Sequence, residues 1–133
     1  MKNLEINKEK LEALCQKYNI KLMILHGSYA KGNARRESDI DIGILSQKKL
    51  DFDEQINVVA DFSEVFGHKF DPVFLNGAEP LISYQVAING RLLYEAKKGM
   101  FHQFRIQAVA RYMDSKKFRV MEKLYLKRAI EKM

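Results

Sequence analysis

The chain has 133 residues, a length that fits one compact domain and excludes a two-domain architecture. Hydrophobic residues make up 47% and charged residues 30% of it, as in globular proteins, and no apolar run reaches the roughly 18–20 residues of a membrane span. Its one cysteine, Cys15, excludes an internal disulfide, and residues 1–5 lack the apolar core of a signal peptide, so we expect a cytoplasmic protein with no membrane association.

The net charge of +6 is unevenly distributed along the chain. Residues 1–96 carry 12 Lys/Arg against 14 Asp/Glu, a net charge of −2, whereas residues 97–133 carry 11 against 3, a net charge of +8. The basic end fits either an anionic partner or a solvated, lysine-rich helix face. We therefore predict a core over 1–96 and a basic helical extension over 97–133 that packs on it within a single domain.

The first half of the chain predicts one helix and two strands. Asn7 can cap a helix that ends near Asn19 and buries Cys15, which we expect to be inert. The apolar run over 20–25 predicts a buried strand that stops at Gly27. Residues 39–45 alternate isoleucine with aspartate or glycine before Leu45, which predicts a strand with one buried face.

The next segment predicts a helix, a strand and another helix. Asp51 or Asp53 begins a helix that ends near Phe66 and is closed by Gly67. Residues 70–75 form a third strand, and Pro72 makes that strand short, places it at an edge, or marks its start.

The last segment begins with a helix at Glu79-Pro80 that reaches about residue 88. A turn at Asn89-Gly90 leads to a fourth strand over 91–94, and the rest forms either one helix or two helices that break at Asp114-Ser115. Helices alternating with short strands predict an α/β or α+β domain with a small mixed sheet flanked by helices.

Two aspartates on the second strand are candidate metal ligands. Residues two apart on a strand project from the same face, so Asp39 and Asp41 are neighbouring carboxylates of the kind that Mg²⁺ prefers. Two like charges this close are unfavourable unless a cation neutralises them. An Asp-x-Asp pair on its own would equally fit a solvated strand face, and the flanking sequence decides between these interpretations.

The residues before this pair favour a phosphate site. A strand that runs into glycine and a helix N-terminus presents free backbone N–H groups to phosphate oxygens, and Ser28 adds a hydroxyl next to Gly27. Lys31, Arg35 and Arg36 either add positive charge near the same phosphates or form solvated surface.

Asp71 is a third candidate carboxylate, at the start of the third strand. Its neighbours are apolar, so an unpaired aspartate there would be costly, and a role as third metal ligand explains it. The alternative is an exposed strand-edge residue or a cap ahead of Pro72. His26, beside Gly27, is a candidate acid or base, but we expect it to pack at its strand end with a satisfied ring, and we assign no zinc site to the histidines.

These residues carry a family resemblance. Gly27-Ser28, ten further residues and Asp39-Ile40-Asp41 match the signature of the polymerase-beta-like nucleotidyltransferase superfamily, and residues 26–45 resemble the minimal nucleotidyltransferases of the MntA antitoxin type. The similarity extends to Asp71, to residues 90–95 and to the helical tail. Lys31, where the family often has arginine, and Pro72 are mild departures.

The resemblance implies the nucleotidyltransferase fold, ATP as donor and three metal-binding aspartates. It also implies transfer of AMP onto a tyrosine of a HEPN-type partner toxin, which silences the toxin. In this hypothesis Asp39 and Asp41 bridge two Mg²⁺ ions, Asp71 helps to hold the ion near the acceptor and can accept the acceptor's proton, and Gly27 and Ser28 hold the departing phosphates.

The acceptor is the least determined part of this interpretation. Small-molecule nucleotidyltransferases usually carry a larger second domain, which this chain lacks, so we favour a protein acceptor docked on the tail. An antitoxin that acts by contact alone is an alternative, as is a nucleotidyltransferase for small molecules or nucleic acid. Two apolar stripes of the tail are candidates for packing and docking: Phe101, Phe104, Ala108 and Tyr112, and Phe118, Met121, Leu124 and Tyr125.

Overall fold

A computed structural model describes residues 4–35 and 37–133 of the protein. The predictions that involve residues 1–3 and Arg36 lie outside the described residues. In chain order the described elements are α1 (Lys8–Lys17), β1 (Ile20–His26), α2 (Gly27–Lys31), β2 (Ile40–Ser46), α3 (Phe52–Phe66), β3 (Phe70–Phe74), α4 (Pro80–Asn89), β4 (Arg91–Glu95) and α5 (Met100–Glu131).

The strands form one four-stranded sheet in the order β3-β2-β1-β4. Strand β1 is antiparallel to both β2 and β4, whereas β2 and β3 are parallel, so the sheet is mixed, as predicted. Pro72 lies in β3, which is an edge strand of five residues, in agreement with the expectation from its missing N–H.

Helices cover both faces of the sheet. One face packs on α1 and α3 through a core that contains Met23, Leu25 and Ile42 from the strands. The alternate residues of the strands, such as Leu22 and Ile24, face α4 and the first turns of α5. This alternation is the period of two expected for strands buried on both sides.

The predicted helix caps are present. The Asn7 side chain accepts a hydrogen bond from the Lys10 backbone N–H at 3.2 Å, and Asp51 forms a reciprocal capping box with Glu54. Cys15 is fully buried between α1 and the sheet, and burial raises the pKa of its thiol to about 12. A buried thiol with a raised pKa carries little thiolate, so Cys15 has the environment of an unreactive cysteine, as expected.

Helix α5 decides between the two alternatives for the end of the chain. It is a single helix of 32 residues, and Asp114 and Ser115 lie inside it without a break. Neither residue prevents a helix, because each costs only about 0.5 kcal/mol of helix stability relative to alanine.

Within residues 4–35 and 37–133, none of the helices combines the length and apolarity needed to cross a membrane.

Candidate active site

Three polar residues stand in one row across the sheet. In the ladder between β1 and β2, His26 lies opposite Asp41, and in the ladder between β2 and β3, Asp41 lies opposite Asp71. Residues directly opposite each other on neighbouring strands project from the same face. The row therefore brings His26, Asp41 and Asp71 to the same end and the same face of the sheet.

Asp41 and Asp71 interact directly, and Asp39 lies beside them. Burial, then a hydrogen bond to Asp71, then the charges of Asp71 and Asp39 raise the pKa of Asp41 to about 6. A hydrogen bond that raises the pKa of a carboxyl stabilises its protonated form, so the contact with Asp71 favours the protonated form of Asp41. The site concentrates negative charge that a bound cation would neutralise.

The surroundings of Asp71 differ from those expected. Its side chain is exposed, because β3 is the outer strand, so the cost of burying an unpaired carboxylate does not explain its presence. What singles Asp71 out is its position opposite Asp41. Asp39, just before β2, is also exposed.

The carboxylates fit a divalent cation in donor chemistry and in charge, since Mg²⁺ prefers carboxylate oxygens and Asp41 carries uncompensated negative neighbours. Among the residues that the structure describes, no group of three or more His, Cys, Asp or Glu side chains is already arranged to hold a metal ion. The structure thus pairs Asp41 with Asp71 and leaves Asp39 alongside, and the three-ligand set stays a prediction.

Gly27 fits closely against the Asp41 carboxylate. Its backbone has φ +69°, and a Cβ added there would lie 2.1 Å from Oδ2 of Asp41, far inside van der Waals contact. Ser28 follows in the short helix α2, whose first N–H groups have no acceptor within the helix. The turn and the carboxylate pair therefore form one continuous site, in which N–H groups that can bind phosphate oxygens lie beside the acidic residues.

The cationic candidates lie at the margin of this site. Lys31 ends α2, and Arg35 lies in the following loop, where its backbone N–H donates to Ser38 Oγ at 2.8 Å. Both side chains are exposed. In the described part of the chain, no hydrogen bond or ion pair joins either of them to the aspartates.

His26 belongs to this row, although the sequence interpretation favoured simple packing for it. It was expected to have a satisfied ring, but its Nε2 is buried and has no hydrogen-bond partner among the described residues. Burial lowers the pKa of His26, although the Asp71 charge acts in the opposite direction, so the ring is neutral near pH 7. The signal in the sequence was its place directly before Gly27, on the strand face that ends at the site.

Comparisons with known proteins identify the family of this chain. The family model described as polymerase beta, nucleotidyltransferase matches residues 9–99. The protein adenylyltransferase MntA of Aphanizomenon flos-aquae (strain 2012/KM1/D3) is 31% identical over 123 residues, which cover 85% of this chain and 82% of that protein. The chain belongs to the polymerase beta nucleotidyltransferases, in the MntA group.

A second protein named MntA is also similar, and solved structures share the fold. MntA of Shewanella oneidensis (strain MR-1) is 31% identical over 75 residues, 56% of this chain and 54% of that one. A crystal structure of a toxin–antitoxin with AMP-PNP superposes with a TM-score of 0.71 at 22% identity, covering 90% of this chain and 99% of the matched one. A Shewanella oneidensis MNT antitoxin in complex with its tri-AMPylated HEPN toxin gives 0.64 at 20% identity, covering 89% and 95%.

Proposed function

We propose that this nucleotidyltransferase transfers AMP from ATP onto a tyrosine hydroxyl of a HEPN-type toxin and so acts as the antitoxin of that pair. The observation that carries the proposal is the Asp41–Asp71 pair, set directly against the Gly27 turn. Relatives named protein adenylyltransferase and a solved complex that contains an AMPylated toxin support this choice of group and acceptor. We propose the cytoplasm as its compartment, because ATP is available there and thiols stay reduced.

Each residue of the site has a proposed role. Asp39, Asp41 and Asp71 would hold two Mg²⁺ ions, which supply Lewis-acid stabilisation of the triphosphate charge. Gly27 and Ser28 would bind the β- and γ-phosphates through backbone N–H groups and the serine hydroxyl. Lys31 and Arg35, both exposed near this turn, would add positive charge at its outer side.

The transfer requires one bond to form and one to break. The acceptor oxygen attacks the α-phosphorus of ATP, the bond from that phosphorus to the oxygen bridging to the β-phosphate breaks, and pyrophosphate leaves. Asp71 would accept the proton of the acceptor hydroxyl. Its exposed position on the edge strand supports this role, since the hydroxyl of a large acceptor can reach it there.

The distal part of α5 supports a protein acceptor. Every residue from 116 to 131, a segment that we name the α5 arm, is exposed, whereas Phe101 and Phe104 in the first turns pack on the sheet. The arm combines many lysines and arginines with large exposed apolar side chains, which is typical of a protein-docking surface. Its exposed apolar residues include Phe118, Met121, Leu124 and Tyr125.

The test uses the full chain, ATP labelled on the α-phosphate, Mg²⁺ and the purified toxin, followed by mass analysis of the toxin for added AMP. We expect Asp39→Asn and Asp41→Asn to reduce transfer at least about 1,000-fold, because each removes charge from the proposed cation site. Asp53→Asn is the matched control, since Asp53 is exposed in the first turn of α3. Parent-level transfer by both site variants would refute the proposed chemistry.

The same variants separate transfer from inhibition by contact. If AMP transfer silences the toxin, Asp39→Asn leaves the toxin active while still binding it. If contact alone silences it, Asp39→Asn protects cells as well as the parent does. Labelled AMP on RNA or on a small molecule, with none on the toxin, would instead identify a different acceptor.

A further inference from the structure

The Nε2 atom of His26 is an unexplained polar atom at one end of the row that contains the acidic site. It is buried and has no hydrogen-bond partner among the described residues. Leaving a buried polar nitrogen unpaired carries a free-energy cost, and such groups in native proteins are usually paired. A phenylalanine would fill a similar space without this cost, so the ring nitrogen calls for a functional explanation.

The position of His26 identifies the group it can serve. It occupies the same row and face as Asp41 and Asp71, with Asp41 between the other two. Strands lie about 4.8 Å apart, which separates the Cα atoms of His26 and Asp71 by about 10 Å. An imidazole and a carboxylate that lean towards each other can bridge this span with one hydrogen bond, and the Asp71 charge already acts on the ring.

Asp71 lies on the edge strand with an exposed side chain, directly beside Asp41 in the sheet. An exposed carboxylate can adopt several orientations, whereas a metal ligand or a proton acceptor has to be held in one. A histidine that carries its proton on Nε2 can supply a hydrogen-bond donor that holds such a carboxylate.

We propose that His26 is a positioning residue for Asp71 and donates a hydrogen bond from Nε2–H to its carboxylate when metal and nucleotide occupy the site. The inference rests on the proposed function, because it assumes that Asp71 works at the acceptor side of an AMP transfer. Carboxylates and histidines around metals are commonly oriented by such outer partners, whose loss typically costs 10–100-fold in activity or metal affinity.

The kinetic test compares His26→Phe and His26→Gln with the parent. We expect His26→Phe to lower kcat for AMP transfer about 10–100-fold, with KM for ATP unchanged within about twofold, because the Gly27 turn is not altered. His26→Gln keeps an N–H donor and should recover part of the lost kcat. A parent-level kcat in His26→Phe, or no difference between the two variants, overturns the proposal.

A spectroscopic test does not depend on activity. In ¹⁵N-histidine-labelled protein, the Nε2–H proton of His26 should move downfield and exchange more slowly when Mg²⁺ and a non-hydrolysable ATP analogue are added. His68 and His102 are exposed and provide internal references. The change should disappear in Asp71→Asn; a His26 signal that does not respond, or responds equally in that variant, contradicts the inference.

Stability measurements separate a positioning role from a structural one. Because phenylalanine removes the unpaired nitrogen, metal-free His26→Phe should unfold at the same urea concentration as the parent or a higher one. A clear loss of stability would identify His26 as a structural residue and overturn the proposal. Asp39→Asn separates failure of this inference from failure of the proposed function. If Asp39→Asn transfers AMP at the parent rate, the proposed function fails. If Asp39→Asn is inactive and His26→Phe is fully active, only the role of His26 is refuted.

Discussion

At the scale of single residues, Gly27 connects the turn after β1 to the Asp41 carboxylate. Gly27→Ala has to move Asp41, because the new Cβ would lie 2.1 Å from its Oδ2, and it also strains a backbone at φ +69°. We expect AMP transfer to fall at least about 100-fold, since a shift of about 1 Å in a reacting group is enough for such a loss. The measurement is kcat/KM for ATP in the toxin assay.

Gly99→Ala is the matched control for this prediction. Gly99 also has a positive φ, +94°, and also lies at the start of a helix, but a Cβ there would meet nothing within 4 Å. Both variants should lose about 1–2 kcal/mol of unfolding free energy through backbone strain, and only Gly27→Ala should lose activity per folded molecule. Equal activity in the two variants would show that Gly27 does not hold Asp41 in place.

The individual residues also show how far the sequence determines the site. Gly27, Asp39 and Asp41 could be predicted because the strand period and a short separation in the chain are enough to place them together. The relation of His26 to Asp71 could not, since it depends on the register of three strands. The long connection from β2 to β3 leaves that register to tertiary packing.

At the scale of whole elements, the α5 arm contributes little to the fold and should contribute much to partner binding. Replacing Phe118, Met121 and Tyr125 together by alanine should change the unfolding free energy by less than about 0.5 kcal/mol per site, because all three side chains are more than half exposed. Toxin affinity should fall at least about 100-fold if these residues are anchors of the interface. Titration calorimetry with the toxin measures this loss.

The control for the arm is a pair of large apolar residues elsewhere that are also at least half exposed. Phe52 and Ile56 on α3 are 75% and 50% exposed, and their replacement by alanine should leave toxin binding unchanged. If both sets weaken binding alike, general surface hydrophobicity rather than the arm explains the effect. Loss of stability in the arm variant would contradict the exposed conformation of α5.

The elements also divide into those that local sequence fixes and those that it does not. The caps at Asn7 and Asp51 and the closing Gly67 act within one turn of the helix, so these helix limits were predicted correctly. The sequence left open whether the last segment forms one helix or two that break at Asp114-Ser115, and the structure has one. Weak helix formers interrupt a helix only where a turn or a packing partner favours interruption, which the local sequence does not show.

At the scale of the whole molecule, alternation of strands and helices predicted the mixed sheet with helices around it. The strand order β3-β2-β1-β4 was not predicted, since it follows from how the two helix layers share the sheet rather than from any local pattern. This order makes β2 an inner strand and β3 an edge. As a result, one carboxylate of the site is partly shielded and its partner is open to solvent.

The shielded carboxylate couples the stability of the fold to pH. The pKa of Asp41 lies at about 6 in the folded protein, against an ordinary value of 3.8, because of burial, the hydrogen bond to Asp71 and the charges of Asp71 and Asp39. Between these values the folded state holds a proton that the unfolded chain has released. The stability contributed by the protonated form is therefore complete below about pH 4 and is lost as the pH rises to about 6.

Asp41→Asn should remove this dependence, because the amide stays neutral at every pH. Without metal and above pH 6, the free energy of unfolding of the variant should exceed that of the parent by about 1–2 kcal/mol. This difference is smaller than a fully buried carboxyl would give, because solvent reaches Asp41. Below about pH 4 the difference should vanish. Urea unfolding in EDTA across this range measures it, with Asp53→Asn as control. Added Mg²⁺ should stabilise the parent and not Asp41→Asn, because cation binding favours the folded state only where the carboxylate pair is intact. If the free energy of unfolding depends on pH in the same way in both proteins, the coupling to Asp41 is contradicted.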